Sequence, residues 1–333
     1  MTPDARILHH LRDAPAPVPL SELARESGLN SAELGARLQT LREAGFGIGL
    51  VPHLGYRLFS TPDRLIADDL QSLTGGNLGI AREILVFEET GSTNDVATRL
   101  ARDGAREGVA VFAERQNAGR GRLGRRWESA PHLGLWFSLL LRPRLAMSDW
   151  SRLTTWAAVG IARGIEAILP GERAGIKWPN DIVLRERKVV GILIEGSYRE
   201  EDRFAVVGIG VNVNHAPEDF PPELAARAGS LRGGAAAPPL ERPRVAAAIL
   251  RALDALYPAA QDERFASIVA EAQRRSTLLG RWIEVRTPGG PLHGMAEGLE
   301  GDGRLRLRDR DGTLFTLSGG EVTLHPAAIN LPD

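Results

Sequence analysis

Cysteine is absent from this 333-residue chain, and lysine is almost absent. A chain without cysteine can form no disulfide, no thiolate metal site and no thiol nucleophile. No run of apolar residues approaches the roughly 20 residues that a membrane-spanning helix requires. Residues 1–10 carry charged side chains and no apolar run, so they do not resemble a secretory signal peptide. We therefore expect a cytoplasmic protein.

The charge of the chain is nearly balanced, with 41 basic and 42 acidic residues and a formal net charge of -1. Such a chain has no general attraction to nucleic acid or to membranes, so any anion-binding site must be a local patch. Apolar residues make up 43% of the chain and charged residues 25%, as in ordinary globular proteins. The length predicts one large domain with one or two small ones.

The only two lysines, Lys177 and Lys188, lie eleven positions apart, and every other basic residue is arginine. Lysine is a compact, movable charge that can follow negative charge developing on a carboxylate or phosphate oxygen, whereas arginine is a wide planar fork. Codon bias and two solvated surface lysines would explain the same pattern. The lysine pair alone therefore marks residues 177–188 without assigning them a role.

Residues 1–62 have the pattern of a winged helix-turn-helix domain. The expected elements are helices over residues 5–12 and 21–26, a turn at residues 28–30, a third helix from residue 31, and a β-hairpin over residues 47–59. Helix, glycine turn and helix in succession are typical of this motif. A small helical packing or dimerisation domain would give the same pattern.

The DNA-binding potential of this domain rests on few side chains, because six arginines are balanced by six acidic residues within residues 1–60. Glu33 lies in the first turn of the expected recognition helix, where a carboxylate would face phosphates or base edges. The residues that could contact DNA are Asn30, Ser31, Arg37, Gln39 and Thr40.

The remaining chain predicts an α+β protein with a linker over residues 63–80, a central α/β mixed-sheet domain over residues 81–276 and an SH3-like β-barrel over residues 277–330. The central strands are expected at residues 84–88, 109–114, 135–141, 176–178, 189–194 and 204–213, and the helices at 94–102, 149–169 and 243–257. Short strands separated by glycine and aspartate turns are expected at residues 282–286, 293–297, 304–308, 313–317 and 321–324.

The clearest chemical signal is the segment 116–127, Gln-Asn-Ala-Gly-Arg-Gly-Arg-Leu-Gly-Arg-Arg-Trp, which follows an expected strand. Glycines let backbone N–H groups turn toward an anion, and interleaved arginines can bind phosphate or carboxylate with two parallel hydrogen bonds. A solvated basic loop or an RNA-binding patch is the alternative. A small phosphate-bearing ligand fits better, because further basic and aromatic residues are lacking nearby. The segment is not a Walker loop, since the Gly-Lys-Ser/Thr ending is missing.

Three further segments carry polar groups. Residues 90–95 open a helix with hydroxyl and amide side chains that suit a neutral polar ligand, although each could simply cap the helix. Asn180 and Asp181 are expected to end a strand, where they could bind a magnesium–nucleotide, act as a base, or form an Asx turn. Residues 208–214 end a strand with two glycines that would allow a ligand to approach closely.

These segments together resemble the signature of biotin protein ligases. The matching runs are residues 119–127, 177–181, 187–195 and 208–212, in the order and spacing of that family. The flanking regions resemble the bifunctional members that are also biotin operon repressors, so the resemblance covers essentially the full chain. It implies that the central domain is a ligase domain of the class II synthetase-like type.

The resemblance also implies a two-step reaction. Biotin and ATP, with Mg²⁺, would form biotinyl-5′-AMP and pyrophosphate, and the biotinyl group would then pass to one lysine of a biotin carboxyl carrier protein, a subunit of acetyl-CoA carboxylase. No tightly bound metal is expected. Biotin operator DNA would be a second partner, and the adenylate would promote a homodimer.

Roles follow by position in the matching motifs. The biotin ring, its ureido group and the acyl phosphate would contact Ser92, Thr93, Asn94, Gln116, Gly119, Arg120, Gly121, Arg122 and Lys188. The ATP and magnesium side would be served by Lys177, Asn180, Arg125, Gly208, Gly210 and Asn212. The catalytic groups would be Arg120, Arg122, Lys188 and Asp181, with the Asp181 carboxylate helping to deprotonate the incoming lysine.

Two positions depart from the family pattern. Leu123 stands where the repressor member carries arginine, which would weaken retention of the adenylate, and Glu33 would weaken operator affinity. Two other functions are compatible with the chain: a lipoate-type ligase, which shares the catalytic fold, and a non-catalytic biotin-sensing DNA-binding regulator.

Overall fold

The computed structural model of the protein describes residues 1–197, 199 and 202–324. Its N-terminal domain contains α1 (Pro3–Asp13), α2 (Leu20–Ser27), α3 (Ser31–Glu43) and the hairpin strands β1 (Gly47–Val51) and β2 (Gly55–Ser60). Apolar side chains at helical spacing, including Leu34, Leu38 and Leu41, form its core. Gly28 ends α2 in the left-handed conformation that favours glycine, so the helix-turn-helix prediction is confirmed.

Residues 63–80, predicted as a linker, are packed between the N-terminal and central domains. They contain α4 (Ala67–Thr74), which contacts α1 on one side and the long helix α8 (Arg242–Ala260) on the other. The Arg12 guanidinium forms an ion pair with the buried Asp69 carboxylate across the contact with α1. Burial raises the pKa of Asp69 to about 6, although Arg12 opposes this shift. The exact domain boundaries stay predictions.

The central domain is built on a seven-stranded mixed sheet. Its strands are β3 (Glu83–Thr90), β4 (Val109–Gln116), β5 (Gly134–Leu141), β6 (Gly175–Lys177), β7 (Asp181–Leu184), β8 (Arg187–Ser197) and β9 (Phe204–Asn212). They are ordered β3-β4-β5-β9-β8-β7-β6, with β3 and β4 parallel and the other neighbours antiparallel. The predicted mixed-sheet domain is therefore confirmed.

The two faces of this sheet differ. The helices of the central domain are α5 (Thr93–Arg102), α6 (Ser151–Ile168), α7 (Pro222–Ala225), α8 and α9 (Phe265–Arg275). Helices α6 and α8 bury one face under a large apolar core, as the spacing of their apolar residues predicted. Helix α5 covers only part of the other face, where Ala97 and Ala101 pack against β4 and β9. The part of that face that no helix covers is open and can form a binding site.

Some elements differ from the sequence prediction. Asp181 begins β7 rather than ending a strand, because the chain turns at Asn180 and returns antiparallel to β6. Strand β7 is only four residues long, which explains why its pattern was missed. Helix α9 was also missed, although Phe265, Ile268 and Ala272 are buried at helical spacing.

The C-terminal domain is an antiparallel sheet with a small apolar core. Its strands are β10 (Trp282–Thr287), β11 (Gly290–Leu299), β12 (Leu305–Arg308), β13 (Leu314–Leu317) and β14 (Glu321–Leu324), in the order β13-β12-β11-β10-β14. The five predicted strands are all present. Trp178 of the central domain packs into this core, and its indole N–H donates to Gly303 O at 3.1 Å. Throughout the residues that the structure describes, no helix is long and apolar enough to cross a membrane.

Candidate active site

A cavity of about 640 Å³ lies over the uncovered face of the central sheet. The predicted residues that line it are Ser92, Thr93, Asn94, Gln116, Arg120, Gly121, Arg122, Arg125, Lys177, Asn180, Asp181, Lys188, Gly208, Gly210 and Asn212. They come from strands β4, β6, β7, β8 and β9, from the start of α5 and from the connections between elements, which the fold brings together. Gly119 alone of the predicted central-domain set lies outside the lining.

One wall of the cavity is a network of hydroxyl and amide groups at the start of α5. The Thr93 backbone N–H and hydroxyl both donate to Gln116 Oε1, at 2.8 and 3.1 Å. The Ser138 hydroxyl lies 2.6 Å from Asn94 Oδ1 and 2.7 Å from Thr93 Oγ1. Thr93, Asn94 and Ser138 are buried, and the network fixes each side chain, so the donors and acceptors have a defined orientation. Ser138 was not predicted, although it is the one polar residue within the apolar run 135–141.

The Arg120 side chain bridges two carboxylates at the edge of this network. Its guanidinium donates to both Asp95 oxygens, at 2.7 and 2.8 Å, and to Glu195 Oε2 at 3.1 Å. The hydrogen bond from Arg120 lowers the pKa of Asp95. Asn94 Nδ2 also donates to Glu195 Oε2, at 2.6 Å. An anionic ligand must therefore compete with Asp95 and Glu195 for Arg120, a feature that the sequence prediction missed.

We call residues 117–133, which connect β4 to β5, the arginine loop. Its tip folds back on itself, because the Trp127 N–H donates to Gly119 O at 2.9 Å and the Gly121 N–H to Arg125 O at 2.7 Å. A Cβ at position 119 would lie 2.6 Å from Trp127 O, so glycine is required there for packing of the loop. Leu123 turns the tip in the left-handed region at φ 57° with its side chain 73% exposed.

Two arginines of the loop contact the C-terminal domain. Arg122 Nη1 donates to Asn180 Oδ1 at 3.0 Å and to Gly320 O at 3.4 Å. Burial lowers the pKa of the Arg122 guanidinium. Arg125 forms an ion pair with Glu321. The C-terminal domain therefore closes one side of the cavity, and residues 320–323 are a part of the site that the sequence did not indicate.

Lys188 also lines the cavity, with its Nζ 2.6 Å from Asp181 Oδ1. The same ammonium group is 5.3 Å from the centre of the Trp127 ring, within the range of a cation–π contact. The side chain remains 36% exposed, so it can reach solvent or a ligand. The two groups predicted to be catalytic here thus already neutralise each other.

The floor of the cavity is made by glycines on β8 and β9. A Cβ at Gly191 or Gly210 would lie 2.5 Å from the Trp127 ring, and a Cβ at Gly208 would lie 2.3 Å from Asn94 Oδ1. We expected Gly208 and Gly210 to admit a ligand closely. In this structure they instead admit the side chains of Asn94 and Trp127, and Gly191, which was not predicted, does the same.

The far end of the cavity, beside Asn212, is aromatic. His215 is 4% exposed and stacks on Phe220 with ring centres 5.1 Å apart, and Trp136 meets its edge. Burial lowers the pKa of His215 to about 4, so the imidazole is neutral near pH 7. Asn212 Nδ2 donates to Gly229 O at 3.0 Å. His215 and Phe220 lie after β9 in a segment whose composition gave no signal.

The residues predicted to bind DNA lie on α3, away from the cavity, and most of them make local contacts. The Asn30 side chain accepts from the Ala32 and Glu33 N–H groups, and Glu33 accepts from the Asn30 N–H, a complete capping box. Gln39 with Glu43 and Thr40 with Ala36 O are further contacts within α3, whereas Arg37 pairs with Asp4 of α1. Ser31 is the first residue of the helix. Glu33 thus has a structural partner, and DNA contact by this set stays a prediction.

Three parts of the chain match models of known families. The biotin/lipoate A/B protein ligase family matches residues 86–212, the biotin protein ligase C-terminal domain matches residues 278–324, and the IclR helix-turn-helix domain matches residues 5–46. These ranges fall within the central, C-terminal and N-terminal domains, respectively.

Relatives along the length of the chain agree with this assignment. The bifunctional ligase/repressor BirA of Bacillus subtilis is 35% identical over 288 residues, which cover 86% of this chain and 87% of the relative. The protein of the same name from Escherichia coli is 29% identical over 309 residues, covering 92% of each chain. The solved structure of biotin protein ligase from Aquifex aeolicus in complex with biotin and ATP matches with a TM-score of 0.64 and 27% identity, covering 74% of this chain and 100% of that one. By its sequence, its fold and the order of its three domains, the chain belongs to the biotin protein ligase family and has the organisation of the bifunctional ligase/repressor proteins.

Proposed function

We propose that the protein activates biotin with ATP to form biotinyl-5′-AMP and then transfers the biotinyl group to a lysine of a biotin carboxyl carrier protein. The observation that carries this proposal is the convergence of the predicted amide, arginine and lysine side chains on one cavity. Membership of the biotin protein ligase family supports it. The Aquifex aeolicus relative was solved with biotin and ATP bound, which are the two substrates proposed here.

The network around Thr93, Asn94 and Gln116 suits the ureido group of biotin, which is neutral and carries both donors and acceptors. Polar groups that are already held by neighbours need no reorganisation when the ligand arrives. Arg120 would turn from Asp95 and Glu195 toward the bound ligand, and the two carboxylates would hold it in place until then.

Lys188 and Arg122 would act on the reacting groups. Attack of the biotin carboxylate on the α-phosphate brings two anions together, so nearby cations are the main means of lowering the barrier. Lys188 reaches the cavity from β8 and Arg122 from the arginine loop, while Asn180 holds the Arg122 guanidinium. Asp181, released from Lys188, would accept a proton from the incoming acceptor lysine.

Magnesium would accompany the nucleotide. Within residues 1–197, 199 and 202–324, no cluster of three histidine, cysteine or acidic side chains could hold a metal ion alone. Mg²⁺ usually keeps most of its waters and is bound by substrate phosphates with one or two carboxylates. The Asn180 and Asp181 side chains supply such oxygen atoms beside the cavity, and the ion would neutralise phosphate charge there.

Exchange of labelled pyrophosphate into ATP tests the first step. We expect exchange that depends on biotin and magnesium, and mass spectrometry should then show one biotinyl group on a carrier domain. Exchange that is absent with purified protein would contradict the ligase function. Offering lipoate and biotin in competition distinguishes a biotin ligase from a lipoate-type ligase. A lipoate-type enzyme would label a lipoyl acceptor and would not use biotin. A pure biotin sensor would label neither acceptor.

We also propose a second role as a biotin-responsive repressor, carried by the N-terminal helix-turn-helix and by the relatives described as ligase/repressor proteins. A helix-turn-helix normally reads two half-sites, so the adenylate-loaded protein is expected to form homodimers on biotin operator DNA. Analytical ultracentrifugation with and without biotin and ATP measures this. A monomer in both conditions would contradict dimer-based repression.

A further inference from the structure

A buried ion pair joins α8 to the strand that leads into the arginine loop. Arg242, the first residue of α8, is fully buried, and Glu114 of β4 is 1% exposed. Arg242 Nη1 donates to Glu114 Oε2 at 2.5 Å, and Nη2 donates to Glu114 Oε1 at 3.3 Å. Glu114 precedes Gln116 of the cavity network by two residues. Neither Glu114 nor Arg242 lines the cavity.

The same guanidinium reaches the strand at the other end of the loop. Arg242 Nη1 also donates to Gly134 O at 3.3 Å, and Gly134 is the first residue of β5. Within the loop itself, His132 Nδ1 lies 3.3 Å from Glu114 Oε2. The entry and the exit of the arginine loop are therefore held by one pair of side chains.

A third chain segment is attached to the pair. Arg242 Nη2 donates to Asp63 O at 2.7 Å, and the Leu65 N–H donates to Glu114 Oε1 at 2.8 Å. Residues 63–65 follow the N-terminal domain and precede α4. The pair thus forms hydrogen bonds both with the ends of the arginine loop and with the segment that connects the helix-turn-helix domain to α4.

Stability alone does not account for such a pair, because buried ion pairs can often be replaced by apolar residues without loss of stability. What an apolar pair could not supply is a set of directed hydrogen bonds to two strand ends and a connecting segment. We propose that Arg242 and Glu114 are positioning residues of the active site, which fix both ends of the arginine loop so that its tip closes over the adenylate. This inference rests on the proposed ligase function.

Arg242→Lys tests the proposal, because lysine keeps the positive charge but loses the fork that reaches several acceptors. The release rate of biotinyl-adenylate, formed on the protein and chased with unlabelled biotin and ATP, should rise by about tenfold to 100-fold, as for a small misplacement of groups that hold a ligand. Trypsin should also cut the loop at its exposed arginines faster in the presence of biotin and ATP.

Arg12→Lys is the matched control. It alters another buried pair, Arg12 with Asp69, that lies between α1 and α4 and makes no contact with the arginine loop. We expect a similar loss of thermal stability from both substitutions but wild-type adenylate release from the control. Equal release rates in Arg242→Lys and wild type, or equal acceleration in both variants, would overturn the proposal.

If Arg242→Lys fails to fold, the double variant Glu114→Gln/Arg242→Met replaces it, since no unpaired charge is then left buried. A folded double variant that retains adenylate as wild type does would also overturn the proposal. Failure of the wild-type protein to form any adenylate would instead contradict the ligase function itself, so the two failures can be told apart.

Discussion

The sequence predicted two binding surfaces from polar side chains, the cavity of the central domain and helix α3 of the N-terminal domain. In the structure, the polar side chains of these two regions have different kinds of partner. The cavity residues come from separate strands and loops, and they contact partners that are far away in sequence, such as Asn94 with Glu195. The α3 residues come from one segment, and apart from the ion pair of Arg37 with Asp4 of α1, their contacts stay within one or two helical turns, such as Asn30 with Glu33.

This difference has a physical cause. A short polar side chain near a helix start finds backbone N–H groups in its own first turn, so local capping uses its hydrogen-bonding capacity. A polar side chain buried on a sheet has no such local partner and must be satisfied by another segment or by a ligand. Polar residues that converge from distant segments are therefore stronger indicators of a site than polar residues within one helix.

The largest effect is expected at the cavity. Lys188→Ala should reduce the rate of adenylate formation by about 100- to 1,000-fold, because a directed cation is lost where negative charge develops. Biotin-dependent pyrophosphate exchange measures the rate. Arg264→Ala is the control, since Arg264 is largely exposed outside the cavity and pairs with nearby Asp262. Equal losses in both variants would mean that net charge, and not the position of Lys188, matters.

The second prediction concerns the aromatic end of the cavity, where the buried His215 is expected to make the stability of the protein depend on pH. The unfolded chain binds a proton on His215 below about pH 6.5, whereas the folded protein does so only near pH 4. Stability is therefore lost as pH falls from 6.5 toward 4, by on the order of 3 kcal/mol at most from this group. The nearby Asp219 carboxylate opposes this shift.

His215→Phe should flatten this part of the stability profile, measured as the unfolding free energy in urea between pH 8 and pH 4. At pH 8 the imidazole is neutral in both states, so the variant and wild type are compared there for any change in packing. An unchanged slope below pH 6.5 would show that His215 is not held neutral by its surroundings.

On α3, the expected effect is smaller and acts through the helix itself. Asn30→Ala removes the capping side chain and should destabilise the N-terminal domain by about 1 kcal/mol, whereas Asn30→Asp should keep the cap. Hydrogen exchange of the α3 amides measures this. Full operator binding by Asn30→Asp but not by Asn30→Ala would assign Asn30 to capping. Loss of binding in both, with α3 intact, would indicate direct DNA contact.

The smallest effect is expected where the arginine loop meets the C-terminal domain. Glu321→Gln removes the ion pair with Arg125, a contact between partly exposed groups, and such pairs contribute about 1 kcal/mol or less. We expect the KM for ATP in pyrophosphate exchange to rise less than about fivefold, with kcat unchanged. A large fall in kcat would make Glu321 part of the catalytic machinery and not a support of the loop.

Much of the fold could be predicted from the sequence where the pattern is local and repeated. The leucines at positions 34, 38 and 41 lie on one face of α3, and the apolar runs of β4, β5 and β9 form the centre of the sheet. The prediction was wrong or silent at short elements, as at β7 and α7, and it also missed α9, whose buried residues follow helical spacing. A four-residue strand contains too few alternations to be distinguished from a turn.

The sequence alone determined which residue types this protein would place at its site, because the arginine- and glycine-rich segment and the two lysines carry their chemistry in any fold. Only the tertiary structure decided their partners. Arg120 faces Asp95 and Glu195, Arg122 and Arg125 meet residues 320–321 of another domain, and Arg242 links both ends of the arginine loop. The sequence gives the type of each side chain directly. Its neighbours depend on how distant segments pack against each other, and a local sequence pattern does not contain that information.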